Sequence, residues 1–230
     1  MAASQRGQGG IRMEYKTELH CHSRDASGCS NESAERIAEK YIAAGYTTVC
    51  LTNHFDPSNG DDTHWEAKID RMYHALELLK EAAGSKLNVL MGLEVRFVQN
   101  RNDYLVFGFD REYLLARPDI LKMGIRDFTR MARGDEILTI QAHPFRVDMT
   151  IVEPDFIDGI EVYNGHPDHN SNNDIAEAWA VKYGKIMTSG TDHHDTDHLP
   201  RGGIVTDYPI KSVKELIETL TTGTYRLIKG

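Results

Sequence analysis

Tyr15-Lys16-Thr17-Glu18-Leu19-His20-Cys21-His22 is the stretch on which the fold turns. In a β-strand, side chains two apart share a face, so His20 and His22 project together and Cys21 projects the other way. A strand that ends on two imidazoles of one face ends on a grip for a cation. Apolar runs of similar length recur at 47–52, 88–95, 104–109, 137–142, 159–162, 185–189 and 203–205. Amphipathic segments lie between many of them, at 33–44, 65–83, 126–132, 174–183 and 213–220, with Gly45, Gly84, Gly134 and Gly184 placed as stops. This alternation predicts an α/β chain with the rhythm of a β/α barrel, parallel strands being joined by crossover helices.

The polar residues fall where such a barrel places its chemistry. Asn53-His54, Glu94, His143 and Asp192-His193-His194 each follow an apolar run, at the end of the strand that faces the catalytic rim. Between Asp192 and His198, six of seven side chains are ionisable, a density that packing does not explain. Glu94 ends the apolar run 89–93, and its two oxygens suit a bridge between two cations. Pro144 fixes the chain direction after His143. Mixed imidazole and carboxylate donors suit zinc, manganese or iron, and no thiolate set of a structural zinc site is present. Cys21, Cys29 and Cys50 read as ordinary thiols, and His64, His74, His166, His169 and His198 as structural or solvent-facing.

Composition bounds the rest. The chain has 230 residues, 40% of them hydrophobic, which suits one domain with one core. Residues 1–13 read as a disordered tail before a domain spanning 14–230, and 55–63 as an irregular loop. A formal charge of −9 disfavours extended nucleic acid as a partner and leaves room for a local basic pocket that takes a small anion. No run is long enough to span a membrane and no secretory signal is evident, so a cytoplasmic protein is expected. Nothing in the sequence indicates an oligomeric state.

Joint occurrence of the motifs, from Glu18 to Asp207, resembles the PHP (polymerase and histidinol phosphatase) domain family. Leu19-His20-Cys21-His22-Ser23 stands for its His-x-His opening, Thr52-Asn53-His54 for Thr-Asp-His, and Gly92-Leu93-Glu94 for Gly-x-Glu. Ala142-His143-Pro144 matches its His-Pro element, and Gly190-Thr191-Asp192-His193-His194 its closing Gly-Ser-Asp-x-His. The resemblance implies a single-domain, TIM-like, distorted (β/α)7 barrel with two or three divalent metal ions and phosphoesterase chemistry. It implies His20, His22, Glu94 and Asp192 as ligands of a first ion, Glu94 and His143 of a second, and His54 with His194 of a third. The chain departs from the family at Asn53, which stands for an aspartate. It also departs at Ala26-Ser27-Gly28, where many members have Ser-Asp-Gly and the nearby carboxylate here is Asp25, and before Gly108, where Asp103 stands near an expected histidine.

The expected reaction is attack of a metal-bridging hydroxide on a small phosphomonoester, a nucleotide or phosphorylated metabolite. Arg146 and Arg201, on rim loops, are candidate phosphate ligands, Asn164 a candidate substrate contact, and His194 a candidate proton donor. Two rival readings are an amidohydrolase-type C–N hydrolase and a non-catalytic, metal-stabilised binding module.

Overall fold

Eleven strands and six α-helices make up the computed structural model of the chain, which describes residues 13–58 and 64–230. The first half runs β1 (Tyr15–Cys21), α1 (Ala34–Ala43), β2 (Tyr46–Leu51), β3 (His54–Phe55), α2 (Trp65–Ala83), β4 (Asn88–Met91), β5 (Leu93–Arg96) and β6 (Asp103–Phe107). The second half runs α3 (Arg111–Leu115), α4 (Ile125–Ala132), β7 (Leu138–Gln141), β8 (Gly159–Asn164), α5 (Asn173–Tyr183), β9 (Ile186–Gly190), β10 (Ile204–Thr206), α6 (Val213–Thr222) and β11 (Arg226–Leu227). Most of the expected tail and the tip of the 55–63 loop lie outside the described residues.

The strands form a mixed α/β, single-domain fold of two sheets, ordered β11-β10-β1-β2-β4 and β3-β5-β6-β7-β8-β9. The run 88–95, which reads as one strand, is two. Its first part pairs with β2 and its second with β3 and β6, so the chain passes from one sheet to the other at Gly92. A Cβ on Gly92 would stand 2.7 Å from Phe107 Cε1 and 2.9 Å from Thr52 Cγ2, so the crossing needs glycine. At the opposite junction Asp192 N donates to the His20 carbonyl and His22 N to that of His193, tying the end of β1 to the segment after β9.

Helices form where the sequence provides caps and an apolar stripe. Ser33 accepts a hydrogen bond from Arg36 N at the start of α1, and Ile37, Ala38 and Tyr41 form its buried face. In α2, Ile69, Met72, Leu76 and Leu79 recur at three- and four-residue spacing and are buried.

One departure corrects the all-parallel expectation. β6 is antiparallel to both β5 and β7. The connection 97–102 is too short for a crossover, which takes about a dozen residues or more, so the chain turns back as a hairpin. β10 and β11 are also antiparallel to their neighbours. The segment after β6 contains α3, capped by Asp110 on Tyr113 N, and a 3-10 turn at Ile120–Lys122. Both are too short to leave a periodic signature in the sequence. No helix among the described residues is long and apolar enough to cross a membrane.

Candidate metal centre

The principal side chains lie at or near strand ends: His20 is next to the last residue of β1, Glu94 lies in β5, His143 follows β7, and Asp192 and His194 follow β9. His20 and His22 are fully buried, and Glu94, His143 and Asp192 nearly so. His143 (φ 28°) and Asp192 (φ 55°) both hold left-handed backbone, a conformation that His and Asp tolerate better than most residues and that is frequent at functional sites. β9 reaches this position through Gly190, where a Cβ would stand 2.3 Å from His20 Cβ.

Each deep imidazole is oriented from behind. His20 Nδ1 lies 2.9 Å from Glu161 Oε1, and His22 Nδ1 lies 3.3 Å from Ser27 Oγ, whose own proton goes to Asn53 Oδ1. A carboxylate can only accept, and the Ser27 proton is already committed, so the neutral form of each ring carries its proton on Nδ1 and has its lone pair at Nε2. Those two Nε2 atoms are buried and have no hydrogen-bond partner. Instead, His20 Nε2 is 3.3 Å from Glu94 Oε1 and 3.3 Å from Asp192 Oδ1, while His22 Nε2 is 3.4 Å from Glu94 Oε2 and 3.5 Å from Asp192 Oδ1. Ligand atoms at about 2.0–2.2 Å from a tetrahedral ion stand about 3.3–3.6 Å apart, so these four side chains have the spacing of a coordination shell.

Glu94 is shared. Its Oε1 also lies 3.1 Å from His143 Nε2, and its Oε2 lies 2.8 Å from His54 Nδ1, so one carboxylate faces four imidazoles. Burial alone would push Glu94 up, but His54 and His20 hold it well below the carboxylate range, and His20, His194 and Arg146 do the same to Asp192. In turn the surrounding carboxylates, Asp192 first, outweigh burial and raise His20 well above its ordinary value. Close groups of candidate ligand atoms comprise His20, His22 and Asp192; His20, Glu94 and His143; His22, His54 and His194; and His54, Glu94 and Asp103. The orphaned nitrogens, the ionised carboxylates and the spacing together fit divalent cations.

The cleft above has a volume of about 300 Å³, and Arg96, Arg146, His166, His169 and Cys29 are among its walls. Arg146 Nη2 donates to Asp192 Oδ2 at 2.7 Å and to Asn164 Oδ1 at 2.8 Å. Asn164 turns inward, its Nδ2 donating to Glu161 Oε2 and Asp192 Oδ2, so these two predicted substrate contacts also brace a ligand. Arg201 is not among the cleft-lining residues; its backbone N–H bonds Thr191 Oγ1 and its side chain packs on Gly165. Asp25 is half-buried and belongs to none of the close ligand groups. Asp103 is engaged by Arg96 through two bonds of 2.7 Å, which brings a guanidinium rather than an imidazole to that wall.

Several functional neighbours escaped the sequence reading. Glu161 braces His20 and, through the His143 N–H, the opposite ligand; the signal was a carboxylate inside the apolar stretch Ile160–Val162. Glu18 accepts from the backbone of His20 and Thr191 and from the Thr191 hydroxyl, joining β1 to β9 beneath the site. Lys40 of α1 pairs with Glu32 and donates to the carbonyls of Asp195, Thr196 and His198, fixing the loop after Asp192. His166 and His169, read as structural or solvent-facing, line the cleft, and His198 is buried, its Nδ1 accepting the His194 N–H.

The sequence pattern of the PHP domain covers residues 18–220. The chain belongs to the PHP domain family. Solved structures agree at the level of fold. The PHP chain is 17% identical, with a TM-score of 0.65, to a two-domain protein from Bacteroides vulgatus containing a predicted PHP-like metal-dependent phosphoesterase, over 99% of this chain and 70% of that one. It is 16% identical to PsfC from Pseudomonas syringae, with a TM-score of 0.68 over 94% and 92% of the two chains. An amidohydrolase from Chromobacterium violaceum is 15% identical, with a TM-score of 0.52 over 89% and 96%. No curated protein matches this PHP chain in sequence.

Proposed function

We propose that this chain is a metal-dependent phosphoesterase that hydrolyses a small phosphomonoester, a nucleotide or phosphorylated metabolite. The observation that carries the reading is the cage of His20, His22, Glu94 and Asp192, with two orphaned nitrogens and contacts of 3.3–3.5 Å, set beneath a cleft that Arg96 and Arg146 line. Divalent cations, zinc, manganese or iron, would supply Lewis acidity, raising the acidity of water and offsetting phosphoryl charge. His20, His22, Glu94 and Asp192 would hold one such ion, and Glu94 with His143 a second. Taken with the sheet crossing at Gly92 and the β1–β9 hydrogen bonds, the fold is read as the distorted (β/α)7 barrel of this family.

This chain's own groups provide binding and orientation. Arg146 holds Asp192 and keeps a guanidinium at the cleft wall, and Arg96 does the same from Asp103. Both are placed to meet phosphoryl oxygens. His166 accepts from Asp168 N at Nδ1, which leaves an N–H at Nε2 as a neutral donor; burial first, then the neighbouring histidines, push its pKa down to about 4. His194 donates from Nδ1 to the Asp192 carbonyl, so its Nε2 bears a lone pair, which suits a ligand better than a proton donor. The bridging posture of Glu94, and the absence of lysine from the described cleft walls, favour phosphoester over amidohydrolase-type C–N hydrolysis.

The test is phosphate release from a panel of nucleotides and sugar phosphates by chelator-stripped protein, with and without added Mn²⁺ or Zn²⁺, beside His20→Ala. Release that depends on the added ion and disappears in the variant is expected. Release indifferent to chelation, or none from any substrate with either ion, would overturn the proposal.

A further inference from the structure

Residues 195–198 form a turn that belongs to no strand or helix, closed by the His198 N–H on the Asp195 carbonyl at 3.0 Å. Carbonyls in such a turn have no ladder to satisfy them and need donors from elsewhere. Three of the four, those of Asp195, Thr196 and His198, converge on one atom, Lys40 Nζ, at 3.2, 2.7 and 3.2 Å. Glu32 Oε2 is a fourth oxygen on the same nitrogen. An ammonium has three protons, so four oxygens cannot pair with it one to one; they surround it as carbonyl rings surround a dehydrated cation. Lys40 lies in the last turn of α1, whose Ile37, Ala38 and Tyr41 are buried in the core, so Nζ is a fixed point against which the turn is set.

The cage is nearly closed to water. The Lys40 side chain is 13% exposed, that of Glu32 is fully buried, and Glu32 Oε1 has no hydrogen-bond partner. What the turn carries gives the cage its consequence. His194 and Asp195 line the cleft. The His194 N–H goes to His198 Nδ1 at 3.1 Å, and its carbonyl accepts from Ser30 Oγ at 2.8 Å and Asn31 N at 2.9 Å. Asn31 Nδ2 also donates to Asp195 Oδ1 at 2.6 Å. Lys40 holds the carbonyl of the residue whose ring holds the His194 amide, and it holds the Asp195 carbonyl directly. The position at which these two side chains enter the cleft is thus set from α1, on the far side of the turn.

We infer that Lys40 is a positioning residue for the reaction, acting as a tethered monovalent cation, and that the oxygens of Glu32, Asp195, Thr196 and His198 form a site that takes free ammonium once the lysine side chain is removed. The inference rests on the phosphoesterase reading above for its turnover readout alone; the cation site is testable without it. Two features distinguish this from an ordinary ion pair. A pair with Glu32 needs only a positive charge nearby, which arginine also supplies, whereas the cage needs a compact charge at one point. And because Arg96 and Arg146, the proposed phosphate contacts, are not on the turn, a displaced turn lowers kcat more than it raises KM.

The experiment compares full-length wild type, Lys40→Ala and Lys40→Arg in ammonium chloride and in tetramethylammonium chloride at equal ionic strength, the second cation being too large for the cage. Thermal midpoints are read on chelator-stripped protein, and kcat and KM on protein loaded with Mn²⁺ or Zn²⁺. Lys40→Ala in tetramethylammonium is expected to lose about 10- to 100-fold in kcat, with a smaller change in KM. Ammonium is expected to restore part of that loss and to raise the Lys40→Ala midpoint, while wild type does not distinguish the two salts. Lys40→Arg is expected to keep a midpoint near that of wild type and still to lose kcat, with no gain from ammonium. A Lys40→Ala protein that is unfolded in both salts, or whose midpoint is the same in both, would overturn the cation cage. Wild-type kcat in Lys40→Ala or Lys40→Arg would overturn the positioning role. Phosphate release missing from wild type as well would overturn the phosphoesterase reading, and the midpoints alone would then decide the cage.

Discussion

The inner and outer parts of the cleft are built by different means. Inside, His20, Glu94 and Asp192 stand on or beside strands, His22 follows directly, and their side chains are at most 2% exposed. Every one of them is braced by a second residue: Glu161, Ser27, His143 or Arg146. Outside, His54 and His194 are 19% and 11% exposed, and His194 lies on the loop after β9. A strand end fixes a side chain through its sheet neighbours, whereas the β1–α1 loop is tied by isolated bonds such as those of Ser27 Oγ to His54 N and of Ser30 Oγ and Asn31 N to the His194 carbonyl. The lesson is that the strands set the spacing of the deep candidate ligands, while the loops set the walls of the cleft above them.

The largest effect should follow from breaking the inner set. His20→Ala is expected to reduce metal-dependent phosphate release by about a thousandfold or more, the several kcal/mol that Lewis-acid stabilisation supplies, measured as kcat/KM with the best substrate of the panel. A change below tenfold would mean that the inner set is not the one that matters. One step further out, Glu161→Gln removes the charge behind His20 and keeps the shape. It is expected to weaken inner-site affinity by about 10- to 100-fold in a zinc-competition titration.

A pH series separates the two states of the centre. Without metal, His20 and His54 are raised well above 6.5, so their stabilising contribution is complete below 6.5 and is lost as pH rises through the raised values. Glu94 and Asp192 are lowered, so theirs is complete above the ordinary 4.5 and 3.8 and is lost as pH falls through the lowered values. The contribution of these four groups to the thermal midpoint of stripped protein is therefore expected to be greatest between about 4.5 and 6.5 and to decline on the alkaline side. With zinc the alkaline decline should vanish, because the cation takes over the role of the protons. A stripped protein that gains stability from pH 6.5 upward would contradict this assignment of charges.

The smallest effect belongs to a region remote from both parts. Arg111 bonds Asp70 and Glu66 on the exposed flank of α2, where water screens the charges. Arg111→Ala is expected to change stability by about 1 kcal/mol or less in a denaturant melt and to leave the ion count unchanged.

Much of the inner set was legible in the sequence, because imidazoles and carboxylates placed just past apolar runs are poor core residues and good ligands. His20, His22, Glu94, His143 and Asp192 were found this way. What brace them was not legible. Glu161 and Glu18 sit within strands, and only the sheet pairing shows which imidazole or amide each one meets. Lys40 is 155 residues before Asp195 in the chain, yet it fastens the Asp192–His198 segment from α1. The reversal of β6 was hidden because an apolar run does not declare its direction, although the short 97–102 connection was available as a clue.

The central claim is that the four inner side chains form a cation cage. Crystals grown with zinc, and an anomalous difference map collected at the zinc edge, test it most directly. A strong peak enclosed by His20 Nε2, His22 Nε2, Glu94 and Asp192 Oδ1 is predicted, and its disappearance below the edge identifies the ion. A map with zinc peaks elsewhere on the chain and none within that cage would contradict the account.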